Sequence, residues 1–182
     1  MTRWLLLWVS VALLGGCAAP GPRTTIVSQD KLQTLLAARF PYTGKIGPLF
    51  ELQAQAPQLR LLPVQNRLGT AIQVQITERL THMVFNGLLD VDYGVQFEPG
   101  DQTLRMVDVH VNTFSLTGVP ERYQAVVQGL APQLAERLMD GLKLHQISAK
   151  DMAVVNGWGY EPGGIDVTAA GLRITLNPKK SP

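Results

Sequence analysis

Apolar and polar positions along this chain change period twice before residue 120, and each change predicts an element. After Ser28, a candidate N-cap followed by Gln29, Asp30 and Lys31, apolar residues recur at Leu32, Leu35, Leu36 and Phe40, the three-and-four spacing of an amphipathic helix. Pro41 and Gly44 end it. From Leu49 the period falls to two. Ile72, Val74 and Ile76 alternate with Gln73, Gln75 and Thr77, while Val91, Tyr93, Val95 and Phe97 alternate with Asp92, Gly94, Gln96 and Glu98. Each run reads as a strand with one buried and one wet face. Pro99-Gly100-Asp101-Gln102 supplies turn chemistry, and Leu104 to Leu116 predicts a further long strand, with Val107, Val109 and Val111 set against Asp108, His110 and Asn112. A long antiparallel hairpin follows from these runs. Phe50, Leu52, Leu59 and Leu61 add earlier strands, broken at Pro57 and Pro63, which belong on edges or in turns.

Beyond Gly118 the period returns to that of a helix. Pro120 suits a first turn, Glu121 complements its positive end, and Val127, Leu130, Leu134, Leu138 and Leu142 form a stripe widened by Val126, Ala131, Ala135 and Met139. Pro132 predicts a kink or a break. The chain is then expected to close with a loop over 156–164 and a last strand carrying Val167, Leu172, Ile174 and Leu176. Strands and helices in separate runs, without βαβ alternation, imply an α+β fold with an antiparallel sheet. A long, broadly apolar helix after a meander of strands needs a concave sheet to lie in.

Charge narrows the function. Sixteen Lys and Arg against fourteen Asp and Glu leave a net charge of +2, with no electrostatic footprint for nucleic acid and none for an anionic membrane surface. Only Lys179 and Lys180 cluster, in a solvated tail. His82, His110 and His145 are far apart, with no second His or Cys at ligand spacing, and Ser115 and Ser148 have no base nearby in sequence. Gly157-x-Gly159 lacks the βα unit of a nucleotide site and reads as a turn. Asp90, Asp92 and Asp108 alternate with apolar residues as a wet strand face rather than a metal site. The expectation is therefore not an enzyme: no catalytic residue, no metal and no cofactor. Trp158 and Tyr160 rim a pocket, touch a partner or cover the end of the core.

The N-terminus carries the sharpest motif. A positive start at Met1 to Arg3 precedes an apolar stretch, Trp4 to Leu14, of about a dozen residues, too short for a spanning helix of roughly 20. Leu14-Gly15-Gly16-Cys17 resembles the lipobox of bacterial lipoproteins, in which the chain is cut before the cysteine and that cysteine is acylated. The resemblance implies a signal peptide over 1–16, an acylated Cys17 with a small, Pro-rich flexible tether over 17–27, and a single periplasmic domain over 28–182. About 165 residues suffice for one proper core, and with Cys17 consumed no disulfide can form. Ala18 rather than Asp after the cysteine implies a lipid anchor in the outer membrane, facing the periplasm.

The order of these elements, with Val119-Pro120-Glu121-Arg122-Tyr123 leading into the long helix and Tyr160-Glu161-Pro162-Gly163-Gly164-Ile165 preceding a closing strand, resembles the YceB-like bacterial lipoproteins, a family of unknown function. The connection from Gln146 to Trp158 departs from that pattern. Such proteins look like members of the wider tubular lipid-binding superfamily. The resemblance implies a curved antiparallel sheet wrapped around a long C-terminal helix, plus the N-terminal amphipathic helix. It also implies a groove for a lipid or other hydrophobic ligand, lined by Leu130, Leu134 and Leu138 on the helix and by Ile72, Val74, Val95, Phe97, Val109 and Val111 on the strands. No catalytic residue comes with it. The alternative is an envelope adaptor with a sealed core that docks partner proteins; a continuous apolar cavity favours the first reading, filled packing with an exposed apolar patch the second.

Overall fold

Ten strands and three helices form among residues 21–179, the part of the chain that the computed structural model describes. The expected signal, Cys17 and Lys180 lie outside the described residues. In chain order the elements are β1 (Arg23–Ser28), α1 (Gln29–Ala37), β2 (Tyr42–Ile46), β3 (Phe50–Ala54), β4 (Gln58–Leu62), β5 (Arg67–Glu78), β6 (Val84–Glu98), β7 (Thr103–Thr117), α2 (Glu121–Met139), β8 (Lys143–Gln146), α3 (Ala149–Gly157), β9 (Tyr160–Thr168) and β10 (Gly171–Pro178). The fold is α+β with a strongly curled antiparallel sheet. Its seven strands run β2-β3-β5-β6-β7-β8, with β4 also on β5, and a second sheet runs β1-β10-β9.

Local chemistry accounts for the elements read from periodicity. Ser28 caps α1, its hydroxyl accepting from the Lys31 amide at 3.4 Å. Beyond the turn at Pro99 to Gln102, β6 and β7 form the expected hairpin, Glu98 opposite Thr103. Pro57 separates β3 from β4, which pair with the two ends of the long β5 on one edge, so a residue without an amide proton falls between ladders.

Strand β7 departs from strict alternation, and this curls the sheet. Its partners on β6 skip one residue near Asn112 and another near Asp108, two bulges in one strand. Asp108 takes a positive φ of 57°. Each extra residue flips the parity, so the inward set is Leu104, Met106, Val109, Val111, Phe114 and Leu116. Val107, expected inward with Val109 and Val111, pairs instead with Gly94 on the outer face, and Met106 takes its place in the core at 4% exposure. Arg67 of β5 holds this bend from outside: it pairs with Asp92 of β6 and reaches the Asp108 carboxylate at 3.2 Å and the Asp108 carbonyl.

The core lies where the two sheets meet. Leu59, Leu68, Val91, Tyr93, Met106 and Val109 of the large sheet pack against Val167 of β9 and Leu172 of β10, with Leu32 and Leu36 of α1 and Met139 of α2 at the margin. A side chain of this size contributes about 1.5–3 kcal/mol when fully buried. The Tyr93 hydroxyl meets Thr70 Oγ1 at 3.0 Å, and burial raises the phenol pKa, so it stays neutral.

Four expectations need correction. The long helix, α2, sits mid-chain, followed by β8, α3, β9 and β10, instead of closing the fold. The expected break at Pro132 does not occur, α2 continuing to Met139; the Gln128 carbonyl, which proline cannot serve, belongs to an exposed residue with water at hand. Residues 156–164 are no loop: α3 ends at Gly157, Gly159 turns at φ 78°, and β9 begins at Tyr160 because it pairs with β10. Residues from Arg23 onward, within the expected tether, form β1 on the edge of β10.

Candidate functional site

The second sheet and α1 cover one half of the concave face of the large sheet and leave the other half open. Registers place Leu52, Ile76 and Phe85 on one row, Ala54, Val74, Gly87 and Leu116 on the next, and Ile72, Leu89 and Phe114 on a third. All face the same way as Val91, because paired residues share a face and the period is two. Yet Val91 is fully buried, whereas Leu52, Ile72, Val74, Ile76, Phe85, Leu89, Phe114 and Leu116 are only half-buried. The result is an apolar trough continuous with the core. Gly87 leaves no room for a side chain within it: a Cβ there would stand 2.9 Å from Leu116 Cδ1, 3.2 Å from Val74 Cγ2 and 2.5 Å from the Ser115 carbonyl.

Helix α2 borders the sheet rather than lying inside it. Its C-terminal end is fastened to the free edge of β7, where the Asp108 amide donates to Asp140 Oδ1 at 2.8 Å and the Val111 amide to Glu136 Oε1 at 2.9 Å. Just past the helix, the Gly141 amide donates to the Met106 carbonyl and the Met106 amide to the Leu142 carbonyl, both at 2.9 Å. Val127, Ala131, Ala135 and Met139 form its half-buried line. Val126, Leu130, Leu134 and Leu138, one residue earlier and so about 100° round the helix, form a second line that stays exposed among the described residues.

The residues expected to line one groove are thus divided. Val109 is in the sealed core, and Val95 and Val111 pack against it. Phe97 shares their face, half-buried opposite Leu104. Ile72 and Val74 lie in the open trough. Leu130, Leu134 and Leu138 are 62%, 54% and 63% exposed, not packed against the strand residues. Leu52, Ile76, Phe85, Leu89, Phe114 and Leu116 join Ile72 and Val74 instead. The signal for Phe114 and Leu116 is present in the sequence as an apolar pair out of phase with Val109 and Val111, which is what a bulge between them produces.

A cavity of 480 Å³ lies against the same strands but has a different lining: Gln55, Gln73, Gln75, Asn86, Ser115 and Thr117, with Leu88, Val74 and Gly87. Gln75 Nε2 donates to Asn86 Oδ1 at 3.1 Å and Thr117 Oγ1 to the Asn86 carbonyl at 3.0 Å, so part of its polar wall is paired with itself. Of the expected groove, only Val74 touches it.

The charged groups are engaged in the fold. Arg60 holds Asp90 with bonds of 2.6 and 2.7 Å, Asn112 Nδ2 donates to Asp92 at 2.8 Å, and His110 Nδ1 stands 3.4 Å from Glu136. Asp101 accepts from Lys143 at 2.7 Å, from Thr103 at 2.5 Å and from Arg105 at 2.6 Å, which together hold its carboxyl well below the usual range. Among the described residues no group of three or more His, Cys, Asp or Glu could hold a metal ion. Among them, too, no helix is long and apolar enough to cross a membrane. Trp158 is exposed and Tyr160 buried, its hydroxyl donating to the Gly21 carbonyl at 3.2 Å.

Fold and site together define an α+β protein whose curled antiparallel sheet carries an apolar concave face covered only in part. No family profile matches the chain, and no curated protein matches it. Among solved structures it is similar to one described as "Crystal structure of lipopolysaccharide binding protein", at 9% identity and a TM-score of 0.34, over 87% of this chain and 40% of that one. The chain therefore spans well under half of that structure, and a score of this size carries no conclusion about function.

Proposed function

We propose that this protein binds a lipid or another hydrophobic molecule in the open trough, while anchored to the outer membrane through acylated Cys17 and facing the periplasm. The observation that carries the reading is the unfinished burial of the concave face: eight apolar side chains in register with a sealed core are only half-buried by the described residues. An acyl chain laid there gains about 0.8 kcal/mol per buried methylene without any catalytic group or cofactor. The lipobox resemblance supports the anchor, and the apolar concave face of the curled sheet supports the ligand class.

A second reading, an envelope adaptor that docks partner proteins, is favoured by the uncovered line Val126, Leu130, Leu134 and Leu138. One experiment separates them. Native mass spectrometry of the full chain, expressed in bacteria and transferred from detergent into a detergent-free scaffold, is combined with displacement of a fluorescent fatty acid. Uptake of the probe, lost in Val74→Glu and kept in Leu130→Glu, supports the trough. Protein that neither carries lipid nor takes up the probe overturns it in favour of the adaptor.

A further inference from the structure

We infer that the end of the molecule formed by Trp158, Lys150 and Lys179 lies on the surface of the phospholipid bilayer that holds the anchor. This rests on the reading of Cys17 as the acylated residue. The starts of β1 and β9 and the end of β10 meet at one end of the small sheet, with Arg23 opposite Leu176 and Tyr160 opposite Pro178. There the Tyr160 hydroxyl bonds the Gly21 carbonyl, and the Arg23 guanidinium sits 5.1 Å from the Tyr160 ring centroid. The chain is thus held at Gly21, four residues after Cys17. Four extended residues reach about 14 Å, so the acyl chains enter the bilayer within that distance of this end.

What this end presents fits that placement. Trp158 caps α3 two residues before Tyr160 and is 64% exposed, a large indole left in water beside a fixed anchor point. Val154, one turn earlier on the same face, is also exposed, and Lys150 is exposed a turn before that. The Lys179 amide bonds the Gly159 carbonyl at 2.8 Å, bringing a second exposed lysine to the same turn. Of the acidic neighbours, Asp151 accepts from the Ser148 hydroxyl at 2.7 Å, and Glu161 is exposed on β9. An indole and a valine flanked by lysines match the interfacial zone of a bilayer containing anionic lipid, where aromatic rings sit at headgroup level and basic residues are drawn to the negative surface. With the domain held this way, movement about the short tether is restricted.

The test uses intrinsic fluorescence. Trp4 and Trp8 precede Cys17, so after cleavage Trp158 is the one tryptophan left. The lipidated chain is reconstituted into vesicles of phosphatidylethanolamine and phosphatidylglycerol, with intact mass and flotation recorded alongside emission. The expected result is acylated, floating protein whose emission is shifted to the blue and quenched by lipids brominated near the headgroup, the quenching weakened in Lys150→Glu/Lys179→Glu. Acylated protein that floats but emits as in water, without quenching, overturns the placement and leaves the anchor reading intact. A chain without acyl mass on Cys17 overturns both.

Discussion

The Val111 amide donates to Glu136 Oε1 at 2.9 Å, a bond between the bulged edge of β7 and the flank of α2. A strand that has bulged away from its neighbour exposes amides that water or another chain would otherwise claim. Glu136, with Asp140 on Asp108, closes that edge and sets where the helix lies. Glu136→Ala leaves a half-buried amide unpaired and is expected to lower unfolding stability by about 1–3 kcal/mol. Glu136→Gln keeps an acceptor and should lose less. Urea denaturation of the three proteins measures the order, and equal losses in both variants would contradict the role of the acceptor.

Helix α2 should tolerate changes on its leucine line that the core does not. Leu68, 3% exposed between β4 and β6, is expected to cost about 2–5 kcal/mol on replacement by alanine. Leu130→Ala should stay within about 0.5 kcal/mol, because little area is removed from contact. A large loss at Leu130 in thermal or urea unfolding would mean that the helix packs its leucines against the sheet in solution.

Gly87 leaves no room for a side chain. Gly87→Ala places a methyl against the Ser115 carbonyl and Leu116, so either the strands separate or the side chains move. Overpacking of this kind costs about 1–3 kcal/mol. The same methyl narrows the trough between Val74 and Leu116, so the fatty-acid probe should bind more weakly at a temperature where the variant remains folded, as circular dichroism verifies.

Asp101 makes stability depend on acid. Its folded carboxyl titrates far below the ordinary value of 3.8, chiefly through Lys143, then Thr103 and Arg105. A lowered folded pKa contributes stability that is fully present above the unfolded value and is lost as pH falls toward the folded one. Wild type should therefore exceed Asp101→Asn in melting temperature by a constant margin at neutral pH, and the margin should shrink below about pH 4. A margin independent of pH down to acid unfolding would refute this assignment.

Periodicity alone carried most of the large sheet and α1. Ile72 to Ile76 and Val91 to Phe97 alternate cleanly because one face is buried and the other wet, and Ser28 announces the helix it caps. Strand β8 was illegible because Lys143, Leu144, His145 and Gln146 have one apolar member, and their order comes from pairing with Thr103 to Arg105. Helix α3 was hidden because its larger apolar residues, Met152, Val154 and Val155, are bunched together and too few to show a helical period, with Met152 its one buried side chain. The sequence patterns of Ile72, Val74 and the β7 valines showed which residues turn away from water, but not whether protein or ligand receives them.

By itself, the sequence determined the period of each long element, the positions of the main turns, the lack of a strong charge bias and the lipobox-like run ending at Cys17, since all of these depend on neighbours within a few residues. The tertiary structure decided what spans many residues: the two bulges that exchange Val107 for Met106, the placement of α2 along an edge rather than inside the sheet, and the division of one apolar face into a sealed core and an open trough. The physical reason is that a hydrophobic pattern fixes a side chain's preference for burial, while the curl of the sheet and the reach of the second sheet fix what is available to bury it.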